Sequence, residues 1–203
     1  MVVVLVAVAV VTGGLLAWVN NVTEGPIKNQ DELALANGIK SVMGVNDLKV
    51  TANDEVKSTV DGKETVFIVH KVSDAKGQFL GAAVESSTMG FGGDLKVLVG
   101  FDAVGKVLGY TILQHAETPG LGAKADKWFQ KDGKGNIIGR SMDAAKPLTV
   151  NKDGGDVDAI TASTITSRAF LKAVNQAYAV YAKQDVDASA GASKQTKSND
   201  NND

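Results

Sequence analysis

The sequence predicts an α+β domain preceded by one membrane-spanning helix. Three observations carry this. Val2 to Val19 holds no charged side chain. The middle of the chain sets β-branched runs between glycine-containing turns. From Ser163 to Lys183 apolar residues recur at helical spacing. Strands gathered together, with helices before and after them, mark an α+β arrangement rather than alternating βα units.

Taken in order, the run at residues 2–19 would reach about 27 Å as a helix, close to the hydrocarbon thickness of a bilayer. Trp18 falls near its end, where interfacial tryptophans are common. A cleaved signal peptide is the rival reading. No basic leader precedes the run and no small-x-small site follows it, which favours an uncleaved anchor over 1–19. Residues 20–30 read as a polar linker, with Gly25-Pro26 as a break. Asp31 to Met43 reads as a short helix with Leu33, Ala36, Ile39 and Met43 on one face and Gly44 as its stop. Thr65–Val72 and Gly77–Glu85 read as strands. Asp94–Phe101 and Lys106–Gln114 read as a hairpin closed by Asp102-Ala-Val-Gly105. Asp132-Gly-Lys-Gly-Asn136 is a further turn. In the last helix Ile165, Ala169, Phe170, Ala173, Val174, Ala177, Val180 and Tyr181 form one stripe. The single domain thus spans 31–184. Residues 185–203, rich in Ala, Ser, Lys, Asn and Asp, are expected to be disordered.

Composition narrows the chemistry. Of 203 residues 44% are apolar, enough for one core, and a net charge of -2 offers no basic field for nucleic acid. The absence of cysteine removes disulfides, thiolate metal sites and iron–sulfur ligation. With His70 and His115 as the two histidines, a histidine-rich metal site is excluded. No G-x-S-x-G accompanies either histidine, which argues against a hydrolase triad. His70 lies in a strand pattern and reads as an ordinary, partly buried histidine.

Three stretches could carry chemistry. The first crowds Thr161, Ser163, Thr164 and Thr166 at the entrance of the last helix, after Asp158. Free N–H groups and the positive end of the helix dipole make such an entrance a phosphate seat, and Arg168 adds charge one turn in. Plain capping by Thr161 or Ser163 explains the same residues. The second is Glu117-Thr118-Pro119-Gly120-Leu121-Gly122, which follows a strand directly. Pro119-Gly120 signals a turn and Gly122 permits close approach of backbone to a ligand. Glu117 is either an acceptor facing that ligand or a surface acid. The third, Met89-Gly-Phe-Gly-Gly93, lacks the spacing of a nucleotide loop and reads as a bend into the next strand. Trp128-Phe129 reads as core packing, with a lid beside an aromatic cofactor as the rival.

Asp158-Ala-Ile-Thr161-Ala162-Ser163-Thr164-Ile165-Thr166 resembles the flavinylation motif of the FMN-binding domain family, and Glu117 to Gly122 resembles that family's second signature. The likeness covers roughly Asn20 to Lys183. Within that family the chain resembles the G subunits of Rnf-type ion-translocating ferredoxin:NAD⁺ oxidoreductase complexes, with the C subunits of sodium-pumping NADH:quinone reductases as siblings of usually greater length.

The resemblance implies that Thr166 carries FMN through a phosphodiester bond installed by a separate flavin transferase. Asp158, Thr161 and Thr164 would belong to what that enzyme recognises. Glu117, Thr118, Gly120, Leu121 and Gly122 would lie against the flavin. A threonine hydroxyl is too weakly acidic to react unaided, so a base from outside the chain is expected to activate it. The family's Gly-Ala is Ala162-Ser163 here. If that glycine supplies a positive φ, Ala162 carries roughly 1 kcal/mol or more of strain; if the position is an ordinary helix entry, alanine fits. The resemblance further implies an electron-relaying subunit in the inner membrane, single-pass, with its soluble domain on the periplasmic side. It would work with the other membrane subunits of the complex and have no substrate chemistry of its own. A free-standing flavin carrier and a membrane-tethered scaffold without flavin are the other readings.

Overall fold

The computed structural model describes residues 1–45, 47–60 and 62–192. Its first element is a helix, α1 (Val2–Met43). Residues 1–37 form one unit and residues from Gly38 onward a second. In the first unit Val2–Glu24 is long and apolar enough to cross a bilayer. Val3, Leu16 and Trp18 are exposed along with most of their neighbours. Apolar side chains thus lie all round the helix and not on one stripe, the pattern of a helix that needs an apolar surrounding on every side. Helix continues through 20–30, where the sequence predicts a linker. Helical segments flank that stretch on both sides, and propagating an existing helix is far less costly than starting a new one.

In the second unit the described residues form a five-stranded meander in the order β1-β2-β3-β4-β5. The strands are β1 (Leu48–Val60), β2 (Lys63–Asp74), β3 (Phe79–Met89), β4 (Asp94–Asp102) and β5 (Val107–Gln114). Each neighbouring pair is antiparallel. Four of these strands are expected from the sequence. β1 is not, because its residues are mostly polar. It is an edge strand whose alternate residues, Val56 and Val60 among them, pack on the core. Pairs such as Lys71 with Asp54 (2.9 Å) serve its solvent side. The predicted β4–β5 hairpin closes on Asp102, whose Oδ1 accepts from the backbone N–H of Val104 and Lys106 at 3.0 and 2.8 Å. Gly105 takes the left-handed φ of 81° that this turn requires.

The sheet is covered on both faces at its centre, while much of the outer face of β1 and β2 stays open to solvent. On one face lies α3 (Thr164–Ala192). Its Phe170, Val174, Ala177 and Tyr181 join Val84, Val97, Val99 and Phe101 in the main core. Phe170 stacks on Phe129 at 4.3 Å and meets the edge of Tyr110 at 4.7 Å. The other face is covered by the end of α1, where Ile39, Val42 and Met43 are buried. Gly100 and Gly109 make this contact possible. A Cβ on either would stand 2.7 or 2.8 Å from the carbonyl oxygen of Val42.

His70 belongs to a polar group that spans β1–β4. Its Nε2 and Glu85 Oε1 are 2.8 Å apart, its Nδ1 lies 2.8 Å from Asn53 Oδ1, and Lys96 reaches Glu85 Oε2 at 2.6 Å. It is fully buried, not partly so, because these partners satisfy both ring nitrogens. Burial pushes the Glu85 carboxyl up, but hydrogen bonds from His70 and Lys96 outweigh it and hold the group below its ordinary value.

α3 continues past Gln184 to Ala192, beyond the end expected from the sequence. Ala188, Ala190 and Ala192 have the highest helix propensity and prolong a helix already formed. Residues 193–203 of the expected disordered tail lie outside the described residues.

Candidate functional site

Between β5 and α3 the chain runs through turns, two short 3₁₀ segments and a four-residue helix, α2 (Ala125–Trp128). Tyr110 on β5 fixes this region. Its hydroxyl donates to Ala125 O at 2.6 Å and accepts from Phe129 N–H at 3.2 Å. Burial pushes that hydroxyl well above its ordinary pKa, so it stays protonated as a donor. The Glu117–Gly122 segment is thereby held between β5 and the anchored α2.

α3 starts where Ile160 N–H donates to Ser167 Oγ (2.9 Å) and Ser167 Oγ to Ser163 O (3.0 Å). These two bonds wind the entrance tightly. They turn Thr166 inward to 1% exposure while Ile165 stays exposed. Ala162 is the one non-glycine residue with a left-handed backbone among those described, at φ 62°. The position does require a positive φ, and alanine bears the strain. Replacing Ala162 with glycine is expected to raise stability by about 1 kcal/mol, measured as an upward shift of the thermal unfolding midpoint.

The two motifs meet. Thr166 Oγ1 donates to Glu117 Oε2 at 2.7 Å, across 49 positions of sequence. Glu117 is 6% exposed. Its other oxygen, Oε1, accepts from the backbone N–H of Phe91 at 2.7 Å and of Gly92 at 3.4 Å. The Met89–Gly93 loop therefore does bind an anion through consecutive amides, but the anion is a side chain of this protein. Its glycines are required by that contact. A Cβ on Gly90 would run into the Glu117 carboxylate, and one on Gly92 into the Ala116 carbonyl. The sequence signal was the glycine cluster itself; what it approaches is a matter of tertiary structure.

A cavity of about 370 Å³ opens here. Of the residues expected at the site, Glu117, Thr118, Leu121, Gly122, Ala162, Ser163, Thr164 and Thr166 line it. Phe91 and Ile165 line it as well and were not foreseen. Both are exposed, as is Leu121 in part, so the cavity has an apolar rim. Thr161 and Gly120 stand outside the lining. Asp158 accepts from Asn151 Nδ2 at 2.6 Å, and its carbonyl accepts from Trp128 Nε1 at 2.8 Å. Trp128 thus ties two loops together and Phe129 is core, as the packing reading expects. Arg168 departs from expectation. It makes two hydrogen bonds to Asp153, at 2.7 and 2.6 Å, and is not among the lining residues. Arg168 holds the Asp153 carboxyl below its usual range. The cation at the helix entrance is Lys152, whose Nζ donates to Thr164 Oγ1 at 3.1 Å. It sits in the short 3₁₀ segment Asn151–Asp153, outside either motif.

Residues 90–179 match the FMN-binding domain family, and residues 2–42 match the RnfG N-terminal region. The G subunit of the ion-translocating oxidoreductase complex of Shewanella baltica (strain OS223) is 34% identical over 178 residues, 83% of this chain and 82% of the relative. That of Vibrio parahaemolyticus serotype O3:K6 (strain RIMD 2210633) is 33% identical over 175 residues, covering 82% and 81%. The chain belongs to this family of G subunits. The Yersinia pestis relative, 33% identical over 171 residues, again covers 81% of this chain and 80% of its own.

In this member of the G subunits, the FMN-binding match begins at the loop that holds Glu117 and ends within α3. It contains the cavity and every lining residue. Those residues suit FMN. The start of a long helix offers free N–H groups to a phosphate. Thr118, Ser163 and Thr164 offer hydroxyls, and Phe91, Leu121 and Ile165 offer apolar surface to a flat ring. The cavity volume is at the lower end of the range for small-molecule sites.

Proposed function

We propose that the protein is a membrane-anchored flavoprotein subunit that relays electrons through FMN in an ion-translocating, Rnf-type ferredoxin:NAD⁺ oxidoreductase complex, with the FMN joined by a phosphodiester to Thr166. The observation that carries this reading is the burial of the Thr166 hydroxyl in the FMN-binding domain's cavity, hydrogen-bonded to Glu117. Capping does not account for it. A hydroxyl at the third position of α3 that bonds a carboxylate from another loop leaves the helix's own N–H groups unserved.

FMN, once bound, supplies the one- and two-electron chemistry. The chain's own residues place it. Thr166 fixes the phosphate end, the first turn of α3 and Lys152 offset its charge, and the Phe91, Leu121 and Ile165 side chains shelter a ring. Attachment through phosphate leaves the ring free to accept electrons. It also keeps the cofactor from being lost on the periplasmic side of the inner membrane, where the resemblance puts this domain. The Val2–Glu24 stretch serves as the single-pass anchor, by its length and its apolar surface. The partners are the other membrane subunits and, for maturation, a flavin transferase that recognises the Asp158–Thr166 segment.

The test is intact-mass analysis of the chain co-expressed with a flavin transferase, beside Thr166→Ala. The expected gain is one FMN less one water in the parent and nothing in the variant. An unchanged parent mass, with the transferase active on another acceptor, overturns the attachment.

A further inference from the structure

We infer that Glu117 is the base that takes the proton from Thr166 when the flavin is attached, so that the acceptor protein and not the transferase supplies this part of the reaction. The inference rests on the proposed attachment at Thr166. It replaces the expectation that a threonine hydroxyl must wait for a base from outside the chain.

Three observations carry it. The Thr166 hydroxyl already points its hydrogen at Glu117 Oε2, 2.7 Å away, the distance at which proton transfer needs no rearrangement. Glu117 is the single ionisable residue among those lining the cavity. Its carboxylate is also locked in place. Oε1 is held by the Phe91 and Gly92 amides, and Gly90 and Gly122 press against the carboxylate with no room for a side chain. One oxygen thus takes the backbone amides and the other the hydroxyl. The groups facing the carboxylate are these two amides and Thr166 from α3; the backbone N–H of Glu117 donates to His115 Nδ1 at 3.2 Å.

The step balances with a dinucleotide flavin, FAD, as donor. Thr166 Oγ1 attacks the phosphorus on the riboflavin side, forming the P–O bond of the ester. The bond from that phosphorus to the bridging oxygen breaks, and the oxygen leaves with AMP. The Thr166 proton passes to Glu117 Oε2 as the bond to phosphorus forms.

The experiment follows the mass gain over time in the full-length chain, purified without flavin, on mixing with a flavin transferase, FAD and Mg²⁺. Parent, Glu117→Gln, Glu117→Asp and Thr166→Ala are compared across a pH series, with circular dichroism confirming that each is folded. Loss of a positioned base slows such reactions by about 10²–10⁴, so Glu117→Gln is expected to label at least about 100-fold more slowly. Its residual rate should climb more steeply with pH than the parent's, because hydroxide must replace the missing base. Glu117→Asp, which keeps a carboxylate, should recover part of the rate. Labelling of Glu117→Gln at the parent's rate, or a uniform slowing with the parent's pH profile, overturns the role of Glu117 and leaves attachment intact. No labelling of the parent by an active transferase overturns the attachment itself, and the inference with it.

Discussion

Replacing Gly122 with alanine is expected to abolish flavin attachment and to destabilise the domain by about 1–3 kcal/mol. A Cβ at this position would stand 2.7 Å from Thr166 Oγ1 and overlap Glu117 Oε2. Neither neighbour has anywhere to go. Glu117 is held from behind by the Phe91 amide, and Thr166 is fixed by the helix entrance wound around Ser167. The added methyl group must therefore part the hydroxyl from the carboxylate, leaving a buried charge short of one partner. Gly120, two residues earlier, is the control. Its φ of 76° is left-handed, but nothing lies within 4 Å of where its Cβ would be. Gly120→Ala is expected to cost about 1 kcal/mol in backbone strain and to leave attachment in place. Mass analysis and thermal unfolding of both variants check the pair. Equal labelling of both variants would show that Gly122 is not needed for its close approach.

These two glycines show what the sequence could and could not give. Local chemistry was legible. Pro119-Gly120 read as a turn, Asp102 to Gly105 as a hairpin, and the α3 stripe as a helix, because each is set by neighbours within a few residues. The positive φ at Ala162 was one of two readings, open because a single chain shows only the residue that bears the strain. β1 was missed because an edge strand keeps a polar face and so lacks the β-branched run that marks its neighbours. The helical 20–30 segment was missed because Gly25-Pro26 is a local breaking signal, and local signals do not weigh the helices on either side. At the site, the residues of each motif were legible but the bond between them was not. Arg168 looked like the charge at the helix entrance. It is taken instead by Asp153, fifteen positions away, and the cation that reaches Thr164 is Lys152. Which of several charges meets which partner is decided by loops that have no periodicity to read.

The largest loss of stability is expected from Phe170→Ala, about 3–5 kcal/mol. Phe170 has no exposed surface, stacks on Phe129 at 4.3 Å and meets Tyr110 at 4.7 Å. Truncation leaves a hole between a helix, a strand and a loop that are each held elsewhere, so they cannot close over it. The unfolding midpoint is expected to fall by on the order of 10 °C. The effect should also reach the site. Phe170 lies one turn after Thr166 on α3, and Tyr110 anchors Ala125 and Phe129, just past the Glu117–Gly122 segment. The same aromatic cluster therefore sets the position of both partners in the Glu117–Thr166 bond. Slower flavin attachment is expected at temperatures where the variant is still folded by circular dichroism. Phe170→Leu, which refills most of the volume, should restore more of the attachment rate than of the stability. A variant that loses stability yet labels at the parent's rate would show that the entrance of α3 is held by the Ser163–Ser167 winding alone.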